Sequence, residues 1–139
     1  MIEEIPIADL DPRQVKQLES ADKVLQNNPT HTLEIYGAIL KQSPGCLELR
    51  KKLRALQLKN IQVSSSGLSG LFSRVTTAPF ALRAKGEKDP KETLAKAEEL
   101  INKLPSNVVA HQMIAEAAAN IGMLETAVFA YETIQRLHP

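Results

Sequence analysis

Residues Val108 to Pro139 read VVAHQMIAEAAANIGMLETAVFAYETIQRLHP. Two segments carry apolar residues at helical spacing, and Gly122 parts them at a turn. Asn107 stands before the first segment as a helix cap; the second runs from about Leu124 to Leu137, and Pro139 closes the unit. A helix–turn–helix of this size cannot bury its apolar stripes alone, so it has to stack on neighbours.

The upstream sequence supplies them. Asp11-Pro12 is a helix start, with aspartate as cap and proline at the first helical position. Val15, Leu18, Ala21 and Leu25 follow at helical spacing, and Asn27-Asn28-Pro29 stops that helix. Thr30 opens the next, with Leu33, Tyr36 or Ile35, Ile39 and Leu40 on one face and Ser43-Pro44-Gly45 at its end. A third helix is expected from about Gly45 to Lys59, its stripe formed by Cys46, Leu49, Leu53 and Leu56, with Arg50 and Arg54 sharing an exposed face beside it. Ser64 to Gly67 reads as a linker. Leu68, Leu71, Phe72 and Val75 can form a short amphipathic turn, and Pro79 restarts a helix to Gly86. Asp89-Pro90 repeats the start signal for a helix carrying Leu94, Ala97, Leu100, Ile101 and Leu104, ended by Pro105. The sum is about seven helices and no strand. Residues 1–11 are expected to be an irregular leader that packs Ile5, Ile7 and Leu10 loosely.

Composition agrees with an all-α chain. Aromatics make up 4% and tryptophan is absent, whereas sheets enrich aromatic and β-branched residues. The 139 residues suffice for one domain with a core of its own. Cys46 is the only cysteine, so an intrachain disulfide is impossible, which fits a reducing compartment. No apolar run approaches the roughly 20 residues that span a bilayer, and the acidic N-terminus lacks the basic start of a secretion signal. A cytoplasmic protein is the expectation.

The net charge of +1 conceals an asymmetry. Residues 1–48 hold four basic and eight acidic groups, and residues 87–139 five basic and eight acidic. Residues 49–86 hold eight basic groups and no acid: Arg50, Lys51, Lys52, Arg54, Lys59, Arg74, Arg83 and Lys85. Either this basic middle is drawn to the acidic flanks within the fold, which is the preferred reading, or it faces an anionic partner, nucleic acid or a membrane surface. Phe72 and Phe80 are its only aromatics for base stacking.

At the level of motif, Val108–Pro139 resembles a tetratricopeptide repeat. Gly122 occupies the turn position, Ala127 the small residue at the close helix contact, Tyr131 the aromatic of the second helix, and Pro139 the closing proline. Ile114 and Ala115 fill the family's Leu-Gly pair. His111, Ala118 and Ile134 depart from the usual tryptophan, tyrosine and alanine. Pro105 lies 34 residues before Pro139, one repeat period. Residues 13–44 read as a second, degenerate repeat, with Tyr36, Ile39 and Pro44 in place. Pro44 and Pro105 are 61 residues apart, too few for two intact repeats, so an extra helix, a linker and a shortened repeat are expected between them. The division is then 1–11 leader, 12–60 degenerate repeat plus extra helix, 61–75 linker, and 76–139 C-terminal repeat pair.

The resemblance implies a right-handed superhelix of stacked antiparallel helix pairs, and a protein–protein interaction scaffold that binds a partner segment in its concave face. It places Val109, Gln112, Glu116 and Asn120 in that face. Three of these are polar and four residues apart, so they form one stripe, which is either a peptide groove or an ordinary solvated face. Some relatives clamp a terminal carboxylate; here Gln112, Met113 and Glu116, and Glu48, Lys51 and Lys52, stand at the matching positions, and the full clamp is absent. Arg50, Lys51 and Arg54 are candidate contacts to an acidic partner. If nothing follows, the last helix exposes Val128 or Phe129, so self-association is a further expectation. Catalysis, cofactors and metals are not expected. His31, His111 and His138 have no ligand spacing with one another or with Cys46, His111 reads as a packing residue, Cys46 as a buried inert thiol, and no phosphate loop or nucleophile elbow occurs.

Overall fold

The computed structural model describes residues 2–59 and 89–137. Among them are six α-helices, one 3-10 turn (Ile7–Asp9) and no strand; an isolated bridge joins Ile5 to Cys46. The helices are α1 (Pro12–Lys23), α2 (Pro29–Gln42), α3 (Leu47–Lys59), α4 (Pro90–Lys103), α5 (Val108–Asn120) and α6 (Leu124–Leu137). The linker at 64–67, the amphipathic turn at 68–75 and the helix expected from Pro79 to Gly86 lie outside the described residues, as does the boundary placed between residues 75 and 76.

Three of these helices start on the same chemistry. Proline at the first position has no N–H to leave unsatisfied, and the preceding side chain accepts a free amide. Asp11 accepts from Arg13 N at 2.8 Å while Gln14 reaches back to the Asp11 amide, a capping box. Asp89 accepts from Lys91 N at 3.0 Å. Asn28 accepts from His31 N at 3.1 Å, so Asn28-Pro29 starts α2 as well as stopping what precedes it, and α2 begins one residue before Thr30. The first helix is shorter than its apolar spacing suggested: it ends at Lys23, and Leu25 falls in the following turn. Asn107 caps α5 through the Ala110 amide at 3.0 Å.

Gly122, at φ 84°, makes the turn between α5 and α6. Its amide donates to Ala119 O and the Met123 amide to Ala118 O, which satisfies the last carbonyls of α5. A side chain at this backbone conformation is strained, so glycine is required here.

Two cores form. Leu18, Ala21, Tyr36, Ile39, Leu49 and Leu53 join α1, α2 and α3. Leu94, Ala97, Ile101, Ile114, Met123 and Ala130 join α4, α5 and α6. The middle helix of the second group, α5, is buried on two sides at once, and small residues (Ala110, Ala115, Ala117, Ala118, Ala127) let its neighbours come close. Each fully buried leucine or isoleucine contributes about 1.5–3 kcal/mol relative to exposure.

The leader is not loose. Ile2 packs on the C-terminal core and its amide donates to Ile121 O at 2.9 Å. Ile5 and Ile7 pack on the N-terminal core, the Ile5 amide donates to Gly45 O at 2.8 Å, and the Ile7 amide to Glu48 Oε1 at 2.9 Å. The segment is a strap across both cores. Glu4 secures it: the carboxylate accepts from the Glu125 and Thr126 amides at 3.0 and 2.7 Å and from the Thr126 hydroxyl at 2.7 Å. Met123, which precedes α6, has no oxygen with which to cap, and a residue some 120 positions away does so instead.

Candidate partner-binding surfaces

The stripe expected on α5 is present as a surface. Gln112, Glu116 and Asn120 are exposed and Val109 is half-buried, while Ala110, Ile114, Ala117 and Ala118 are buried. These four candidates therefore share the outward side of one helix.

The candidates on α3 are divided. Lys51 is exposed, with Nζ 5.7 Å from the centre of the Phe129 ring. The exposed face assigned to Arg50 and Arg54 is a correction: the two are 1% and 2% exposed. The reason is that each finds an acceptor on the inner side of α3, from Pro44 before the helix, from Glu98 of α4 or from Gln57 of α3 itself. Arg54 forms an ion pair with Glu98 of α4 and donates to Gln57 Oε1 at 2.6 Å, and Gln57 in turn donates to Asn102 Oδ1 at 2.6 Å. The offsets of 44 and 45 residues in these two links mean that α3 and α4 run in the same direction. Arg50 donates through Nη1 to Pro44 O at 2.7 Å. Lys52 pairs with Asp22 at 3.0 Å and lies over the Tyr36 ring. Two of the five cations on α3, Lys52 and Arg54, are thus paired with acids from the flanking segments. Arg74, Arg83 and Lys85 lie outside the described residues.

The electrostatics of this cluster follow from its burial. Burial alone would raise the Glu98 carboxyl, but Arg54 and Arg50 outweigh it and hold it below the usual carboxylate range. Burial pulls the Arg50 guanidinium down from its ordinary value, Glu98 opposes that, and neighbouring Arg54 adds to it. Glu98 was not singled out from sequence, although a signal existed. It lies four residues after Leu94 and three before Ile101, on the apolar stripe of α4, where a carboxylate needs a buried partner.

Two clefts adjoin these residues. One, of about 250 Å³, lies between α2 and α4, with Leu33, Gly37, Leu40 and Leu94 in its walls and Arg50 and Glu98 in its lining. The other, of about 420 Å³, runs between the start of α3 and α6 and includes Lys51, Val128 and Phe129. Beside it α6 exposes Leu124, Val128 and Tyr131 at 64%, 55% and 52%, a row at helical spacing. Phe129, the other residue expected to be exposed there, is half-buried.

Cys46 and His111 are packed, whereas His31 is exposed. Cys46 is buried just before α3 rather than within it, and burial pushes its thiol up, away from the reactive thiolate. His111 is buried, with Nε2–H donating to Pro105 O at 2.8 Å. Among the described residues no group of three His, Cys, Asp or Glu is placed to hold a metal ion, and no helix is long and apolar enough to cross a membrane. The chain matches no family model, no curated protein and no solved structure.

Proposed function

We propose that the chain is a non-catalytic protein–protein interaction scaffold that takes a segment of a partner along its helical surface, in the manner of stacked tetratricopeptide-like helix pairs. The observation that carries this reading is the α5 stripe. Gln112, Glu116 and Asn120 stand exposed in a row on a helix whose other sides are buried against α4 and α6. Such a row offers amide donors and acceptors and one carboxylate at a fixed spacing on a rigid support, which suits the polar backbone of an extended peptide. The Schellman turn at Gly122 and the small residues between α5 and α6 are further features that a stacked helix pair requires. The apolar row of Leu124, Val128 and Tyr131 would receive the next helix of a stack, from a partner or from a second copy.

The test is affinity capture from native lysate by the parent and by a triple Gln112→Arg, Glu116→Arg, Asn120→Arg variant, with and without nuclease treatment. The parent should retain a discrete protein partner in moderate salt and the variant should not, while both melt alike. Equal capture by a folded variant would refute the α5 assignment. Recovery of nucleic acid alone, lost steeply as salt rises, would refute the scaffold reading.

A further inference from the structure

Among the described residues four large apolar or aromatic side chains stand exposed, Val24, Leu124, Val128 and Tyr131, and three of the four lie on α6. Leu124, Val128 and Tyr131 follow one another at i, i+4 and i+7, so they form one ridge about two turns long. Single exposed leucines are ordinary, but a contiguous apolar row marks an interaction surface. Along its flank runs the cleft of about 420 Å³ between the start of α3 and α6, with Leu47, Val128 and Phe129 in its lining. The backbone of α6 is helical from Leu124 to Leu137, so it offers no edge for an extended strand to pair with. A ridge with a groove at its side suits a second helix.

The charge around this face is uneven. Glu125 and Glu132 stand seven residues apart, hence on the same side of the ridge; both are exposed and both line the cleft. The ion pairs among the described residues, Lys52 with Asp22 and Arg54 with Glu98, use neither of them. Lys51 is the one cation among the described residues in that lining, and its Nζ lies over the Phe129 ring. The Glu4 carboxylate, held by the Glu125 and Thr126 amides, adds a third acid at the first turn of α6. Arg136, one turn beyond Glu132, donates to the Thr133 hydroxyl and is not part of the lining. The face is thus apolar along its ridge and acidic along its flank, which favours a cationic partner. A second copy does not answer to that. In an antiparallel pair of α6 helices with the two-fold axis at Val128, Glu125 of each copy comes nearly level with Glu132 of the other, and like charges meet.

We propose that this face docks a basic amphipathic helix of a partner protein, with its apolar residues along Leu124, Val128 and Tyr131 and its lysines or arginines against Glu125 and Glu132. Apolar contact supplies the affinity. The acids supply the choice of partner, since an exposed ion pair adds little by itself while a like-charged flank is rejected. The proposal rests on the scaffold reading and gives it a partner chemistry, but it uses no residue of the α5 stripe.

The experiment is fluorescence-anisotropy titration of the full chain into two labelled peptides, AKALKAALKALKAY and AEALEAALEALEAY. They carry the same leucines at i, i+4 and i+7 and differ only in their lysine or glutamate flanks. The lysine peptide should bind saturably and at least about tenfold more tightly than the glutamate peptide. Two double variants at exposed positions separate apolar contact from charge. Leu124→Gln with Val128→Gln should weaken the lysine peptide at least about tenfold, and Glu125→Lys with Glu132→Lys should reverse the preference, each with the circular dichroism of the parent. No saturable binding, equal affinity for the two peptides, or binding that either folded variant leaves unchanged would each overturn the proposal. Sedimentation should find the parent monomeric; a dimer that the glutamine variant dissociates would overturn the proposal in favour of a second copy. A synthetic peptide of residues 68–85, which carries Arg74, Arg83 and Lys85, should bind no more tightly than the lysine peptide. Tighter binding would overturn the proposal in favour of the chain's own basic segment. No lysate enters these titrations, so their failure leaves the α5 capture result standing, and failure of that capture leaves the peptide result standing.

Discussion

Replacing Glu4 by alanine should unfasten a helix at the other end of the chain. The Glu4 carboxylate accepts three hydrogen bonds, from the Glu125 amide, the Thr126 amide and the Thr126 hydroxyl. Removing a helix cap costs about 0.5–2 kcal/mol. Hydrogen bonds to a charged group contribute about 1.5–3 kcal/mol each when buried; Glu4 is only half-buried, so solvent screening reduces that. Thr126 is fully buried, and its hydroxyl would be left without this acceptor. Taken together these effects give a loss of about 2 kcal/mol, near the top of the capping range. For a chain of this length each kcal/mol lowers the melting temperature by roughly 4 °C, so Glu4→Ala should melt roughly 8 °C below the parent. The assay is thermal unfolding by circular dichroism, paired with amide hydrogen exchange at Glu125 and Thr126, whose protection should fall first. The neighbouring Glu3 side chain is exposed, and Glu3→Ala should stay within about 0.5 kcal/mol. A Glu4→Ala variant that melts within about 1 °C of the parent would show that the strap does not cap α6.

Glu98→Leu leaves Arg50 and Arg54 buried with no anion between them, and should cost about 3–5 kcal/mol by urea unfolding. Because the Glu98 carboxyl is held low in the fold, the unfolded chain binds its proton first as pH falls. The stability it contributes is present above the ordinary glutamate value, about 4.3, and is lost as pH falls through the depressed folded value; Glu98→Gln should flatten that part of the acid limb. Gly45→Ala sets a Cβ 2.1 Å from Glu3 O, a backbone atom, so the strap must move; the Ile5 and Ile2 amides should lose exchange protection together, and unchanged protection would contradict the geometry. Ala127→Leu overfills the contact between α5 and α6 and should cost about 1–3 kcal/mol in a thermal melt.

What could be read from sequence divides along a physical line. Helix starts were legible because Asp11-Pro12 and Asp89-Pro90 act within four residues of themselves, and Gly122 announces a left-handed turn by residue type alone. Helical periodicity located the stripes of α4, α5 and α6 for the same reason. Asn28-Pro29 was half-read, since one dipeptide can end a helix and cap the next. The strap was not legible. Its hydrogen bonds join Ile2 to Ile121 and Glu4 to Thr126, and no local pattern encodes a partner at that distance. The exposed stripe of Gln112, Glu116 and Asn120 was legible because one face of one helix determines it. The α2–α4 cleft was not, because its walls come from two helices whose approach depends on the whole packing.

The basic middle of the chain shows why a charge count does not translate into a surface. On α3 the cations occupy successive positions around the helix, so some of them must face inward once Leu49 and Leu53 are buried. Arg50 lies three residues before Leu53, and Arg54 one residue after it, and each is carried inside with that stripe. Arg54 meets Glu98 there, and on the rim Lys52 meets Asp22, so two of the acids that make the flanks negative are spent within the fold. Arg50 meets no acid of its own. A methionine or leucine at that position would bury its side chain at less cost.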